Sequence, residues 1–399
     1  MSALPLALDG YVRDWLDLLL RWLHVVAAIA WIGASFYFVL LDQSLRPPKE
    51  ERDVADGVRG ELWEVHGGGF YHVKKYLVAP PKLPDHLAWF KWEAYTTWLS
   101  GFALMVVLFY LDARTTLIDP AVADIEPWLA VLLSVVFLAA AWLVYDVLCR
   151  LLAGRELVLA AAVLGLVVLA AWGTSELYSP RAAWLQVGAM LGTAMAGNVF
   201  FVIIPAHWEL IRAKQAGRDP DPGPGIKGKQ RSVHNNYLTL PVLVTMLAAH
   251  SSFLYGRELA WLILVGLMLG GAAVRLFFNL RHGGRTIWAI PAAVAVAAAV
   301  VALVLRPDDR PAPPPGETIA FADVAPVIER RCVTCHATTP TQPGFSSAAA
   351  GLALETQAQI EARAEDVAAA VSARTMPLGN VTGMTDAERE LVATWAAGR

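Results

Sequence analysis

The stretch IPAAVAVAAAVVALVLRPDDRPAPPPG, residues 290–316, changes character at Arg306. Up to Leu305 it holds no charged side chain. From Arg306 to Gly316 five of eleven residues are proline, the composition of an extended, semi-rigid spacer. The chain therefore divides here: an apolar part before, a linker at 306–316, and a tail at 317–399. The whole chain is 56% hydrophobic and 17% charged, against about 25% charged in an ordinary soluble domain. The apolar residues come in long runs. A membrane span needs about 20 mostly apolar residues, and eight runs qualify, at 15–41, 96–111, 128–149, 156–173, 183–205, 238–255, 259–280 and 286–305. The expected fold is all-α, with an eight-helix transmembrane bundle over 1–305. The net charge of −3 offers no basic field for nucleic acid. The N-terminal residues, with Asp9, Asp14 and one Arg, lack the basic region of a cleaved signal peptide.

The tail has ordinary soluble composition, with ten acidic and six basic residues, and carries Cys332-Val333-Thr334-Cys335-His336. Two thiols at this spacing can add to the two vinyl groups of one haem, and the adjacent His336 can reach the iron. Phe321–Arg331 reads as a helix delivering the first cysteine. Thr385–Ala397 reads as a closing helix, with Thr385 and Glu388 spaced as a capping box and Leu391 and Trp395 on one face. Between them Met376-Pro377 stands where a class I cytochrome c supplies its second axial ligand, with Met384 as the competitor. The alternatives are a chance motif or half of a zinc site, and the tail lacks further Cys or His to complete the latter. Cys149, at the end of an apolar run, reads as packed.

Haem is attached to CxxCH outside the bacterial cytoplasm, so the tail, and with eight spans the N-terminus, is expected in the periplasm. The positive-inside rule is an independent test. The expected inner loops 42–95, 150–155, 206–237 and 281–285 hold eighteen Lys and Arg; the outer segments 1–14, 112–127, 174–182 and 256–258 hold four.

Topology sorts the histidines. His24 and His250 fall within spans, both in the expected outer half, and ionisable groups there are candidates for function. Three readings stand: axial ligands of a b-type haem, hydrogen bonds to neighbouring helices, or substrate and proton handling. The first inner loop contains Glu61-Leu62-Trp63-Glu64-Val65-His66-Gly67-Gly68-Gly69-Phe70-Tyr71-His72-Val73-Lys74-Lys75, whose glycines are expected to end the preceding helix. The other long inner loop ends in His234-Asn235-Asn236-Tyr237. His, Asn, Glu and Lys could bind a planar heterocycle; interfacial anchoring is the plainer alternative.

An eight-span chain with WxxHGGGFYHxxK, HNNYLTLP and a fused CxxCH…MP tail resembles the bacterial membrane-bound urate hydroxylases, the cytochrome-c-linked urate oxidases, over essentially its whole length. The resemblance implies an inner-membrane enzyme. It would hydroxylate urate to 5-hydroxyisourate with water and pass electrons through haem c to a cytochrome c or terminal oxidase. It carries over Cys332, Cys335, His336 and Met376. No catalytic set comes with it. A base is needed, and His, titrating near neutrality, is the natural choice, with His66, His72, His234 and Asn235 as candidates and Glu64 and Lys74 as second choices. A quinol-oxidising b/c-type electron-transfer protein is the rival, as is a transporter or sensor with a redox tail.

Overall fold

The computed structural model describes residues 10–248, 251–256, 259–306, 319–342, 345 and 347–398. It is mostly helical, 69% helix against 5% strand. Among the described residues six helices are long and apolar enough to cross a membrane: α1 (Gly10–Ser44), α2 (Trp92–Tyr110), α3 (Pro127–Leu151), α4 (Glu156–Ser175), α5 (Pro180–Gln215) and α7 (Ala260–His282). The other two expected spans are different. The run at 238–255 falls on the second half of α6 (Pro222–Ala248), whose first half is polar, and then partly on residues outside the description. The run at 286–305 becomes α8 (Ala289–Val304), apolar but only 16 residues long.

The bundle is organised around α5, which packs against α2, α3, α4 and α6. It reads AAWLQVGAMLGTAMAGN over 182–198, and its small residues let neighbours approach closely. A β-carbon on Gly188 would lie 2.0 Å from the Thr245 hydroxyl of α6, and one on Gly197 2.1 Å from the Trp142 indole nitrogen of α3. Pro205 cannot donate to the helical ladder, and the turn before it, Val199–Ile203, widens to a π-helix directly after the buried Asn198.

One element corrects the all-α expectation. Gly67 and Gly68 do not end a helix. They form the two-residue turn of an antiparallel hairpin, β1 (Val58–His66) and β2 (Gly69–Tyr76), in which His66 faces Gly69 and Trp63 faces His72. Both glycines have positive φ, +57° and +81°. That backbone matches the right-handed twist of the flanking strands.

The tail has its own apolar core, drawn only from residues 319 onward. Helices α9 (Phe321–Arg331), α10 (Ala364–Ser372) and α11 (Asp386–Ala397) surround Val324, Ile328, Val371, Val392 and Trp395. The Thr385–Glu388 capping box forms as the sequence predicts. Apart from Arg306, the proline-rich stretch lies outside the described residues.

Candidate functional site

The polar side chains of the helical part gather mainly on the first half of α6. On one side, buried Arg231 donates to the Asp146 carboxylate at 2.7 Å and to the Asn198 amide oxygen at 3.2 Å. Asn198 donates in turn to Tyr145 Oη and to Asn235 Oδ1, at 3.0 and 2.9 Å, and Asn235 donates to the Met195 carbonyl. His234 Nδ1 lies 2.8 Å from Tyr145 Oη, with the Glu156 carboxylate 3.9 Å from Nε2. Burial lowers the His234 pKa from its ordinary value, and the Arg231 charge lowers it further. Both effects favour the neutral ring, the form a general base needs.

On the other side of α6, Asn236 Oδ1 accepts from Arg275 and from Asn279, at 3.0 Å each, while its buried amide nitrogen has no partner among the described residues. The Arg275 guanidinium lies 3.9 Å from the Phe36 ring centroid. Asp146, Arg231, Arg275 and Asn198 are functional candidates that the sequence reading passed over. The signal was a charged residue inside an apolar run, at Asp146 and Arg275.

The hairpin residues are mostly engaged with one another. His72 Nε2 donates to Glu61 at 2.9 Å and its ring stacks on Trp63 at 4.2 Å. Glu64 accepts from Tyr37 Oη at 2.6 Å. Lys74 donates to Asp53 at 2.8 Å, a bond that holds its pKa above the ordinary lysine value. His66 sits exposed beside the turn. The link between hairpin and α6 is Asp42 of α1, which pairs with Lys75 and lies 3.6 Å from Lys229. The geometry thus joins His234 to Asn235 and leaves His66 apart from both.

His24 Nδ1 lies 2.9 Å from the Thr97 carbonyl and 3.2 Å from Ser100 Oγ. Arg13 and Asp112 pair at 3.6 Å at the other end of this helix pair. Eleven residues separate Arg13 from His24, about 16 Å of helix. His250 lies outside the described residues.

In the tail, the CxxCH turn closes through the His336 amide donating to the Cys332 carbonyl, 2.9 Å. His336 Nδ1 meets the Leu352 carbonyl at 3.0 Å. Only an N–H can bond there, so the ring is held in the tautomer whose Nε2 carries the lone pair, as an iron ligand requires. Cys332 and Cys335 are free, half-buried thiols. Met376 is half-buried, whereas Met384 is 3% exposed and packed in the tail core. The buried Arg389 donates to the carbonyls of Met376 and Val371, at 2.6 and 2.8 Å, and to Asn380 Oδ1 at 3.2 Å. The two free thiols and the fixed His336 ring are of the kinds that a covalent haem requires. Among the described residues no group of three or more His, Cys, Asp or Glu is placed to hold a bare metal ion.

Six apolar helices with buried charge among them are compatible with a multi-pass membrane protein. The urate oxidase N-terminal family matches residues 10–306, and the chain belongs to that family. Membership makes it an oxidoreductase acting on urate. No curated protein and no solved structure matches the chain.

Proposed function

We propose that the protein is an inner-membrane urate hydroxylase that converts urate and water to 5-hydroxyisourate, releasing two protons and two electrons, with the electrons leaving through a haem c in the tail. Family membership over residues 10–306 supports urate as substrate and favours this reading over a quinol-oxidising b/c-type protein. The observation that carries the electron route is the His336 ring, fixed by the Leu352 carbonyl inside a CxxCH turn. Cys332 and Cys335 would anchor the haem and His336 and Met376 would hold its iron. The haem supplies one-electron acceptance at the relatively high potential that His/Met ligation gives.

The chain's own residues do the rest. His234, neutral and bonded to Tyr145, is the base best placed to take a proton, with Asn235 fixing α6 against α5 rather than reading the substrate directly. On the opposite side of α6 from His234, the amide of Asn236 and the Arg275 charge form a separate cluster that is suited to hold an anion in a water-poor site. His66 and His72 stand as weaker candidates, since one is solvent-exposed and the other is already paired. The tail is proposed to face the periplasm, with a cytochrome c or terminal oxidase as acceptor.

The test is anaerobic addition of urate to membranes, following urate absorbance and haem reduction together. Urate loss matched by c-type haem reduction is expected. Loss only with oxygen, with an unchanged haem, overturns the proposal. The same spectrum decides on a b-type haem at His24 and His250: a c-type α-band alone removes it.

A further inference from the structure

The tail touches the helical part at particular points. Gly379, three residues after Met376, has φ +54°, and a β-carbon there would lie 2.6 Å from the Thr115 carbonyl and 2.7 Å from that of Ile118. A β-carbon on Gly256 would lie 2.4 Å from the Ala373 carbonyl. Both approaches are too close for any side chain. Between them lies a small polar cavity lined by Thr116, Asp119, Ser179, Arg181 and Tyr255 from the helical part and by Arg374 and Thr375 from the tail. Tyr255 in turn packs edge-on to buried Trp184, 6.3 Å between centroids. The segments the tail meets, around 112–119, 179–181 and 255–256, fall in or beside those read independently as outer by their scarcity of Lys and Arg.

We propose that the Ala373–Asn380 segment, with Gly379 seated on the Ala113–Ile118 turn and Ala373 against Gly256, is a standing intramolecular electron-transfer contact. Electrons leave the urate-oxidising part at its outer end, one at a time, into the Met376 side of the tail. Two such transfers follow each urate oxidised, and a one-electron acceptor outside the chain reoxidises the iron after each. Tunnelling weakens steeply with distance, and a seated tail spares this step a swing of the linker. The inference rests on the haem c reading of the tail.

Two variants of the full-length protein in membranes test it. Gly379→Val adds a side chain where no space exists. It is expected to lower amide hydrogen-exchange protection of 113–118, to leave haem content and dithionite reduction unchanged, and to slow urate-driven haem reduction at least tenfold. Conversely, Thr115→Cys with Leu378→Cys, joined by a short bifunctional crosslinker, is expected to keep the wild-type rate. Loss of reduction in the crosslinked protein, or an unchanged rate in a Gly379→Val protein whose 113–118 protection has fallen, overturns the contact. If Gly379→Val fails to accumulate, the crosslinked pair decides alone. Absence of haem from the wild-type protein would instead overturn the reading beneath it.

Discussion

His234 and Arg389 show how single side chains divide the work. With the His234 pKa lowered by burial and by Arg231, the base form persists to a pH below the ordinary imidazole range. Urate turnover limited by this group is expected to fall only on that more acidic side, and Arg231→Met is expected to move the inflection upward, read from the pH dependence of kcat/KM. The same change leaves Asp146 with Arg150 as its remaining cationic partner, 2.7 Å away, so thermal stability should drop as well. His234→Gln is expected to lower turnover about 10²-fold or more with haem content intact; near-wild-type turnover would remove His234 as the base. Arg389→Met leaves the Met376 and Val371 carbonyls and the Asn380 amide oxygen without their charged donor. Each such bond is worth about 1.5–3 kcal/mol. The expected readout is loss of the red-edge absorption of methionine-ligated ferric haem while the covalent haem remains.

At the scale of the element, the hairpin and the helix α11 make a contrast in what the sequence discloses. The Thr385-to-Glu388 spacing and the Leu391/Trp395 face announce α11, and the helix forms as read, because its cap and its apolar stripe are local. The Gly67-Gly68-Gly69 run is equally local but ambiguous. Glycine ends helices and also turns hairpins, and the residues before it form a strand whose partner lies just beyond. Two positive-φ glycines between two strand-length segments are a hairpin signal. Arg389 was not legible at all, since the carbonyls it holds come from residues 371–376 and meet it only after the tail folds. Of the candidate site, His234 and Asn235 were visible from their neighbourhood in sequence, but Asn198 reaches Asn235 from α5, and Asp146 and Arg275 reach Arg231 and Asn236 from α3 and α7. Replacing Gly67 and Gly68 with Ala is expected to cost about 1–2 kcal/mol per residue for the left-handed backbone, seen as increased proteolysis within 58–76. The bundle should survive, because β1 and β2 pair chiefly with each other. Within the tail, burial pushes the Glu388 carboxyl up, but the Thr385 amide and Arg331 outweigh it and hold the pKa below the ordinary carboxylate value. A depressed pKa contributes stability above the ordinary glutamate range that drains away as pH falls through the lowered value. Glu388→Gln should therefore flatten the acid side of the tail's stability profile, measured as the pH midpoint of the haem absorbance change.

For the molecule as a whole, the two parts have separate cores and one seam. Removing both thiols, Cys332→Ala with Cys335→Ala, is expected to abolish urate turnover with native acceptors while leaving the helical part inserted. An artificial one-electron acceptor supplied from the outer side should restore part of that turnover. Failure of every such acceptor, with the protein correctly inserted, would mean the urate chemistry does not end at the outer seam.

The close approaches at Gly188, Gly197, Gly256 and Gly379 change how a mutational scan of this chain will look. Alanine is ordinarily the mildest replacement, used to subtract a contact. At these four positions it adds the offending atom, so the usual hierarchy inverts. The severest alanine variants will cluster where the wild-type residue has no side chain to lose, along α5 and along the seam. A map of intolerance built from such a scan would therefore trace the empty space between the parts, and through it the path along which they fit together.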